Sequence, residues 1–233
     1  NRAIDRRKLA MEAIHIEQDI IGENVGSQDQ VNAAYGGFNR ISFRQNGSID
    51  VEALAISDQR LKSLNDNLML FYTGIMRTAE LISSSYAKNT RQNTEQLQKM
   101  YGMVDDAATI LQGRSGLDDL GHLLHEAWLQ KQKLSKLVSN GKVNEIYKTA
   151  REAGALGGKL CGAGGGGMIL LYVPKKYRLE VRNALTGLLY VPFRFSDKGS
   201  EVIFSDNQAR YKREDLMSTA VAQPFIELSD LKL

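Results

Sequence analysis

The amino-acid sequence predicts an α+β fold in which most strands pair antiparallel. The residues from Leu117 to Val138 place leucines on one helical face, which indicates a strong amphipathic helix. The dipeptide Asn46-Gly47 stands between alternating residues and is the usual signal of a β-hairpin. Two short apolar runs, NDNLMLFYTG and MILLYV, have the length of buried strands. Amphipathic helices beside such strands need a sheet to pack against, and this order of elements is typical of α+β proteins.

The first part of the chain predicts a helix, a loop and a hairpin. Residues 3–21 repeat apolar side chains at helical spacing, and Gly22 is expected to end that helix. Glu17 falls within the apolar stripe, which consists of Ala10, Ala13, Ile14, Ile20 and Ile21. A turn-rich segment follows, and RISFRQNGSIDVEAL then predicts a hairpin that turns at Asn46-Gly47.

The second part of the chain predicts helices around two further strands. A strand ending at Gly74 is followed by helical patterns over 76–112, with breaks expected around 83–85 and at Gly102. Ser115 is expected to cap the helix over 117–138. The later patterns predict a helix over 143–153, a strand over 168–173, a helix over 176–188 and a hairpin turning at 197–199. Residues 207–233 have no clear periodicity, and their role stays open.

Composition and charge exclude several classes of protein. The chain has 233 residues, 42% of them apolar, and its 30 Lys and Arg against 27 Asp and Glu leave a formal charge of +3 without a basic block, so nucleic acid is not an expected partner. Its longest apolar run is too short to span a membrane, and its single cysteine, Cys161, cannot form an internal disulfide, so we expect a cytoplasmic protein. The chain starts at Asn1 without Met, inside a helical pattern, and we expect it to be truncated.

A glycine cluster within KLCGAGGGGMILLYV indicates an anion-binding loop. A Walker loop is excluded, because Ala153 stands where a glycine is required and Leu160 stands where a Ser or Thr would hold magnesium. The dinucleotide-binding spacing is formally present, but that motif needs a preceding strand and a following helix, and the predicted order here is helix and then strand. Successive small residues can point several backbone N–H groups into one concavity. A flexible hinge, or close packing of the loop on a strand, is the alternative.

Two carboxylates are placed where phosphoryl transfer would need them. Asp29 follows Glu17 by 12 positions, and Gly22 and Gly26 between them can fold the chain back. A kinase needs one carboxylate for magnesium and one beside the acceptor hydroxyl. In the alternative interpretation, Asp29 is a helix cap or turn residue and Glu17 lies at the edge of the core.

Together, these segments resemble the GHMP kinases, the superfamily of galactokinase, homoserine kinase, mevalonate kinase and phosphomevalonate kinase. GGKLCGAGGGGMILL resembles the glycine-rich third motif, and the Glu17–Asp29 spacing ending in GSQDQ resembles the metal and catalytic carboxylates. The resemblance implies ATP and Mg²⁺ as cofactors, Asp29 as the catalytic residue and Glu17 as the metal ligand. It implies a phosphate-binding loop of Gly162, Ala163, Gly164, Gly165 and Gly166, with Arg77, Lys159 and Gln28 as candidate substrate-binding residues.

Within the superfamily, ENVGSQDQVNAAYGGFNRISF and LGHLLHEAWLQKQKLS are most similar to the sugar kinases that act on D-glycero-D-manno-heptose 7-phosphate. The implied reaction is ATP-dependent phosphorylation of the anomeric hydroxyl, which gives the 1,7-bisphosphate from a sugar phosphate substrate. Another GHMP sugar kinase, for fucose or galactose, or a non-catalytic ligand-binding domain of the same fold, is the alternative. The superfamily's second motif, the main ATP phosphate loop, is absent from the chain, so we expect this fragment alone to be inactive.

The resemblance also implies how the chain divides. Residues 1–58 correspond to the remainder of the N-terminal kinase domain, with helix, catalytic Asp loop and hairpin. Residues 59–206 correspond to a ferredoxin-like C-terminal α/β domain that carries the glycine-rich loop, and 207–233 form a tail.

Several residues near these motifs have two interpretations. Arg77 is either a ligand of the sugar or its phosphate or a surface residue, and Lys159 either neutralises phosphate or is solvated. Cys161 is expected to pack within the loop, since no neighbouring His supports a nucleophile. On the amphipathic helix, Trp128 is expected in the core and Lys131 in solvent.

Overall fold

Two antiparallel sheets organise the chain in the computed structural model, which describes residues 5–76, 82–85 and 90–204. The smaller sheet pairs β1 (Asn39–Phe43) with β2 (Ile49–Ala53). The larger sheet has the order β4-β5-β3-β6 and consists of β3 (Leu68–Tyr72), β4 (Gly157–Leu160), β5 (Met168–Tyr172) and β6 (Leu189–Val191). Each pairing in this sheet is antiparallel, as the sequence predicts.

Helices cover both sheets. They are α1 (Arg6–His15), α2 (Gln28–Tyr35), α3 (Asp58–Asn67), α4 (Thr94–Gln112), α5 (Asp118–Leu134), α6 (Gly141–Glu152) and α7 (Arg178–Ala184), with a π-helix at Ile16–Ile21 and a 3₁₀ turn at Lys175–Tyr177. Among the described residues, no helix has both the length and the apolar composition required to cross a bilayer. The described residues up to Ser200 belong to one compact unit, and 201–204 belong to a second one.

The connectivity of the larger sheet is that of a ferredoxin-like fold. Its strands and helices follow the order β3, helices, β4, β5, α7 and β6, which is the βαββαβ pattern. The first strand lies between the third and the fourth in space, so β3 pairs with β5 on one side and with β6 on the other. The predicted α+β class with a ferredoxin-like part is therefore confirmed, whereas the predicted domain boundary between residues 58 and 59 stays a prediction.

The larger sheet is buried on both faces, because its strands alternate between two apolar clusters. Side chains of one face contact α6 and α7 residues and include Met69, Phe71, Ile169 and Leu171. Side chains of the other face contact α3 and α4 residues and include Leu68, Leu170 and Tyr172. This is the two-residue period of a strand. Full burial of one such side chain contributes about 1.5–3 kcal/mol, so the two clusters hold the sheet firmly between its helices.

A third cluster joins α1 and α2 to the hairpin. The buried side chains are Ala10, Ile14, Val31 and Ala34, and the half-buried Ile41, Ile49 and Val51 pack against them. The hairpin over Asn39–Ala53 is as predicted, with Gly47 at a positive φ of 80° between the strands. The prediction that Ile20 and Ile21 belong to the buried stripe is wrong, since these side chains are 67% and 61% exposed. The π-helix that follows His15 has a different number of residues per turn, so the apolar positions no longer fall on the same face.

Local sequence signals misplace two helix boundaries. Helix α4 continues through Gly102, since one exposed glycine costs only about 1 kcal/mol in a helix of 19 residues. Helix α5 begins after Leu117, which occupies the N-cap without a side-chain hydrogen bond, so the predicted cap at Ser115 is wrong. Asp118 and Asp119 supply negative charge to the first turn instead. The helix ends at Leu134, earlier than predicted.

Two strand predictions also differ from the structure. Strand β4 was not predicted, because its residues Gly157-Gly158-Lys159-Leu160 have little β-propensity. The predicted hairpin turning at 197–199 is wrong among the described residues: β6 pairs with β3, and 192–204 form no strand. Pairing between strands more than a hundred residues apart leaves no local turn signal. The tail 207–233 lies outside the described residues.

Two glycines, Gly121 on the helix and Gly157 on the strand, allow α5 to lie directly on β4. A Cβ at Gly157 would meet the backbone carbonyl of Gly121, and a Cβ at Gly121 would meet the ring of Tyr172 at 2.7 Å. Glycine is therefore required here for close approach of a helix to a strand.

We expect Gly157→Ala to lower the free energy of unfolding by about 1–3 kcal/mol, because the added methyl group forces α5 away from the sheet. Urea denaturation of the variant and the parent protein measures this. Gly116→Ala is the matched control, since its Cβ would meet no atom within 4 Å. Equal losses of stability in the two variants would contradict the close-approach argument.

Candidate active site

A cleft of ≈ 700 Å³ brings together most of the predicted site residues. We name it the carboxylate cleft. The predicted residues that line it are Glu17, Gln28, Asp29, Lys159, Gly162 and Ala163. Among the predicted site residues, Arg77 lies outside the described part of the chain, and Gly164, Gly165 and Gly166 do not line the cleft.

Glu17 is presented by the π-helix that follows α1. Its side chain is half-buried, and its Oε2 accepts a hydrogen bond from Nε2 of Gln30. Gln30 is buried, with 7% of its surface exposed, and its Oε1 has no hydrogen-bond partner among the described residues. π-Helical turns occur often at functional sites, but their presence cannot be read from apolar periodicity. Gln30 thus fixes the orientation of the Glu17 carboxylate.

The loop between the two carboxylates is held by Gln18. Its Nε2 donates to the Val25 carbonyl at 2.9 Å and lies 3.1 Å from the Ser27 hydroxyl. Gly22 adopts a positive φ of 79° at the end of the π-helix, which is the predicted chain reversal. These contacts return the chain towards Glu17, so that Asp29 reaches the same cleft.

Asp29 lies in the first turn of α2, where the helix dipole favours a negative charge. The N-cap of this helix is Ser27, so Asp29 is not the capping residue of the alternative interpretation. Asp29 is exposed, and its carboxylate forms no hydrogen bond or ion pair with another described residue. A carboxylate in this position is open to a ligand in the cleft.

The glycine-rich loop joins β4 to β5 and has an anchored half. The Gly165 N–H donates to the Val138 carbonyl at 2.8 Å, and the Asn140 side-chain amide donates to the Gly165 carbonyl at 2.8 Å. The Gly167 N–H donates to the Ile75 carbonyl at 2.8 Å. Close packing, one of the alternatives for this loop, therefore describes its second half.

The first half of the loop faces the carboxylate cleft. Gly162 and Ala163 line the cleft, and within the described part of the chain their backbone N–H groups donate to no protein acceptor. Gly162 has a positive φ of 78° and is exposed. A strand precedes this loop, contrary to the sequence prediction, but a second strand follows it rather than a helix, so the dinucleotide-binding motif is still excluded.

Lys131 is a residue of the cleft that sequence reasoning missed. It lies three positions after the buried Trp128 on α5 and is half-buried rather than solvated. Its Nζ donates to the Gly162 carbonyl at 2.5 Å. Burial, together with the nearby charge of Lys159, lowers the pKa of Lys131 to about 8. Its spacing from Trp128 on the helix was the signal that could have placed it on the inner face.

Cys161 behaves as the sequence predicts. Burial raises the pKa of its thiol, although the neighbouring Lys159 and Lys131 act in the opposite direction. The thiol is therefore a poor nucleophile and serves as a packing residue at the start of the loop.

A larger cleft of ≈ 980 Å³ lies between the hairpin, α3 and residues 194–197. Its lining includes Phe38, Leu54 and Phe195 but no residue of the carboxylate pair or the glycine-rich loop. The carboxylate pair and the start of the glycine-rich loop therefore meet in the smaller cleft. Within residues 5–76, 82–85 and 90–204, no group of three or more His, Cys, Asp or Glu side chains is arranged to hold a metal ion.

Comparison with known proteins identifies the class. Residues 108–190 match the family model described as GHMP kinases C terminal. The chain therefore carries the C-terminal domain of the GHMP kinases, and the resemblance predicted from its motifs is confirmed.

A sugar-phosphate kinase is among its relatives. The chain is 32% identical over 183 residues to D-glycero-alpha-D-manno-heptose 7-phosphate kinase of Campylobacter jejuni, an alignment that covers 77% of this chain and 54% of that protein. The chain thus spans about half the length of this relative.

Solved structures share the fold. The crystal structure of a D-glycero-D-manno-heptose 1-phosphate kinase from Bacteroides thetaiotaomicron superposes with a TM-score of 0.63 at 24% identity. The match covers 83% of this chain and 54% of that one. Mevalonate kinase of L. major, solved with R-mevalonate, gives a TM-score of 0.62 at 22% identity, over 83% and 60% of the two chains. The GHMP-kinase-like fold is therefore confirmed.

Proposed function

We propose that this protein is an ATP-dependent kinase that phosphorylates the anomeric hydroxyl of D-glycero-D-manno-heptose 7-phosphate to give the 1,7-bisphosphate. The observation that carries the proposal is the meeting of Glu17, Asp29 and the open half of the glycine-rich loop in one cleft. The heptose 7-phosphate kinase of C. jejuni supports the choice of sugar.

Asp29 is assigned to the acceptor hydroxyl. Its carboxylate is exposed in the cleft and has no partner among the described residues, so it can accept a hydrogen bond from a sugar hydroxyl. A carboxylate so placed orients the hydroxyl for in-line attack and can take its proton as the new bond forms. Orientation and charge contribute more than basicity, because a carboxylate is a much weaker base than the alkoxide it would generate.

Glu17 is assigned to magnesium. Mg²⁺ prefers oxygen ligands and is usually held by one or two carboxylates together with substrate phosphates, so a cluster of three acidic side chains is not required. Gln30 holds one oxygen of Glu17, and the other oxygen forms no bond to a described residue. Magnesium, when bound, supplies positive charge that neutralises the phosphates. The donor set of the cleft fits this ion.

The open half of the glycine-rich loop is assigned to the transferred phosphate. The N–H groups of Gly162 and Ala163, which line the cleft, are available as donors, and the anchored half fixes their position. Donors that are positioned before the reaction stabilise developing charge without a cost of reorganisation. Gln28 and Lys159, which also line the cleft, are assigned to substrate binding.

In the intact protein, Asp29→Asn is expected to lower kcat ~10²–10⁴-fold while leaving ATP affinity nearly unchanged, because the change keeps the side chain's shape and removes its charge and basicity. Steady-state kinetics and nucleotide binding measure the two effects. Asp106→Asn, an exposed position on α4 outside the cleft, is the matched control. Near-normal turnover of folded Asp29→Asn at saturating substrates would show that Asp29 is not catalytic.

Glu17→Gln is expected to act through the metal. Since loss of a group that supports a metal ligand already costs about 10–100-fold in metal affinity, loss of the ligand's charge should cost at least as much. Titration of activity and of binding with Mg²⁺ measures this, and high Mg²⁺ should partly restore turnover. A variant with unchanged Mg²⁺ dependence would refute the metal assignment.

Sugar 7-phosphate is expected to give a kcat/KM at least about tenfold higher than galactose or fucose, since each charge-assisted hydrogen bond to its phosphate contributes roughly 1.5–3 kcal/mol. Initial rates with the three sugars at fixed ATP decide this. Equal values for the unphosphorylated sugars would favour a fucose or galactose kinase, and no turnover of any sugar would favour a binding domain.

A further inference from the structure

Two lysines approach the open half of the glycine-rich loop from different elements. Lys131 comes from the last turns of α5, and Lys159 comes from β4. Both line the carboxylate cleft. Lys131 Nζ lies 2.5 Å from the Gly162 carbonyl oxygen, which places the ammonium group against the open half of the loop, within the cleft.

Neither lysine has a counter-ion in the described part of the chain. The ion pairs found there join other residues, and neither Lys131 nor Lys159 lies within 4.0 Å of a carboxylate oxygen. Burial and, to a smaller extent, repulsion between the two cations lower the pKa of Lys131 to about 8. An anion bound between them would remove this repulsion.

The geometry of the donors selects the anion. Two ammonium groups and a run of free backbone N–H groups offer more donors than a carboxylate's two oxygens can use, whereas a phosphoryl group has three oxygens and up to two negative charges. Glu17 and Asp29 line the same cleft and would repel an anion that lacks strong cationic partners.

We propose that Lys131 and Lys159, together with the N–H groups of Gly162 and Ala163, form a binding site for a phosphoryl group. Lys131 is its principal cation. The assignment of this group to the donor or the acceptor rests on the proposed kinase function, but the site itself does not. The occupant is the phosphate of ATP or the phosphate ester of the sugar, which share this chemistry.

Binding of inorganic pyrophosphate to the intact protein tests the site without catalysis. Lys131→Met keeps the length of the side chain and removes its charge, and we expect it to weaken pyrophosphate binding by about tenfold or more. Lys131→Arg retains the charge and should bind more tightly than Lys131→Met. Lys133→Met is the control, because Lys133 is exposed on the same helix and does not line the cleft. Calorimetric titration measures all four proteins, and unchanged melting temperatures exclude unfolding.

Acylation of lysines in the parent protein gives a second measurement, which does not depend on a variant that folds. Lys131 should react faster than Lys133 at neutral pH, and saturating pyrophosphate should slow its labelling, as read by mass spectrometry. Pyrophosphate binding that is equal in Lys131→Met and the parent protein would overturn the proposal. Labelling of Lys131 that is unaffected by bound pyrophosphate would overturn it as well.

Kinetics of Lys131→Met with ATP and sugar 7-phosphate identify the source of the phosphoryl group. A higher KM for the sugar phosphate assigns the site to the acceptor, a higher KM for ATP assigns it to the donor, and a lower kcat alone assigns it to the group in transfer. If all three values are unchanged, the proposal that Lys131 binds a phosphoryl group is wrong. If the parent protein phosphorylates no sugar but its pyrophosphate binding depends on Lys131, the proposed reaction fails while the site stands.

Discussion

The direct backbone contact between α5 and β4 is the constraint on which the rest of the structure depends. Gly121 and Gly157 let the helix and the strand approach without side chains between them. This approach places Trp128 against the buried face of the sheet and brings Lys131 to the loop that leaves β4. The same contact therefore positions a core residue and a charged residue, which lie on one helix three positions apart.

The glycine-rich loop at the carboxylate cleft has an anchored half and an open half. Val138, Asn140 and Ile75 hold the second part of the glycine-rich loop through hydrogen bonds to its backbone. The first part keeps free donors, and across the cleft Gln30 fixes the carboxylate of Glu17. Polar groups that are held in place without a partner lower the stability of the folded protein, and a ligand that forms hydrogen bonds with them offsets this cost. The arrangement is suited to binding an anion together with a cation.

Sequence reasoning predicted the parts of this molecule that depend on local pattern. Short apolar runs located β3 and β5, the Asn46-Gly47 signal located the hairpin, and the spacing of Glu17 and Asp29 located two residues of the cleft. It failed where distant segments decide the outcome. Strand β4 forms because its glycines can pack closely against α5 and pair with β5. Strand β6 pairs with a strand that is distant in sequence. Lys131 is half-buried because its ammonium group donates to the carbonyl of Gly162. Lys131 and Gly162 are 31 residues apart, and β6 lies more than a hundred residues from β3, so no short window along the sequence contains both partners of these two contacts.

The central position of β3 has a consequence for how the protein is made. Leu68 pairs with Tyr172, 172 − 68 = 104 residues later, and β6 follows still further along the chain. A ribosome that adds about 5–20 residues per second needs roughly 5–20 s to deliver the first partner of this strand. During that time β3 has no neighbouring strand, so its unpaired backbone and apolar side chains favour unwanted pairing with other chains, which a chaperone would prevent.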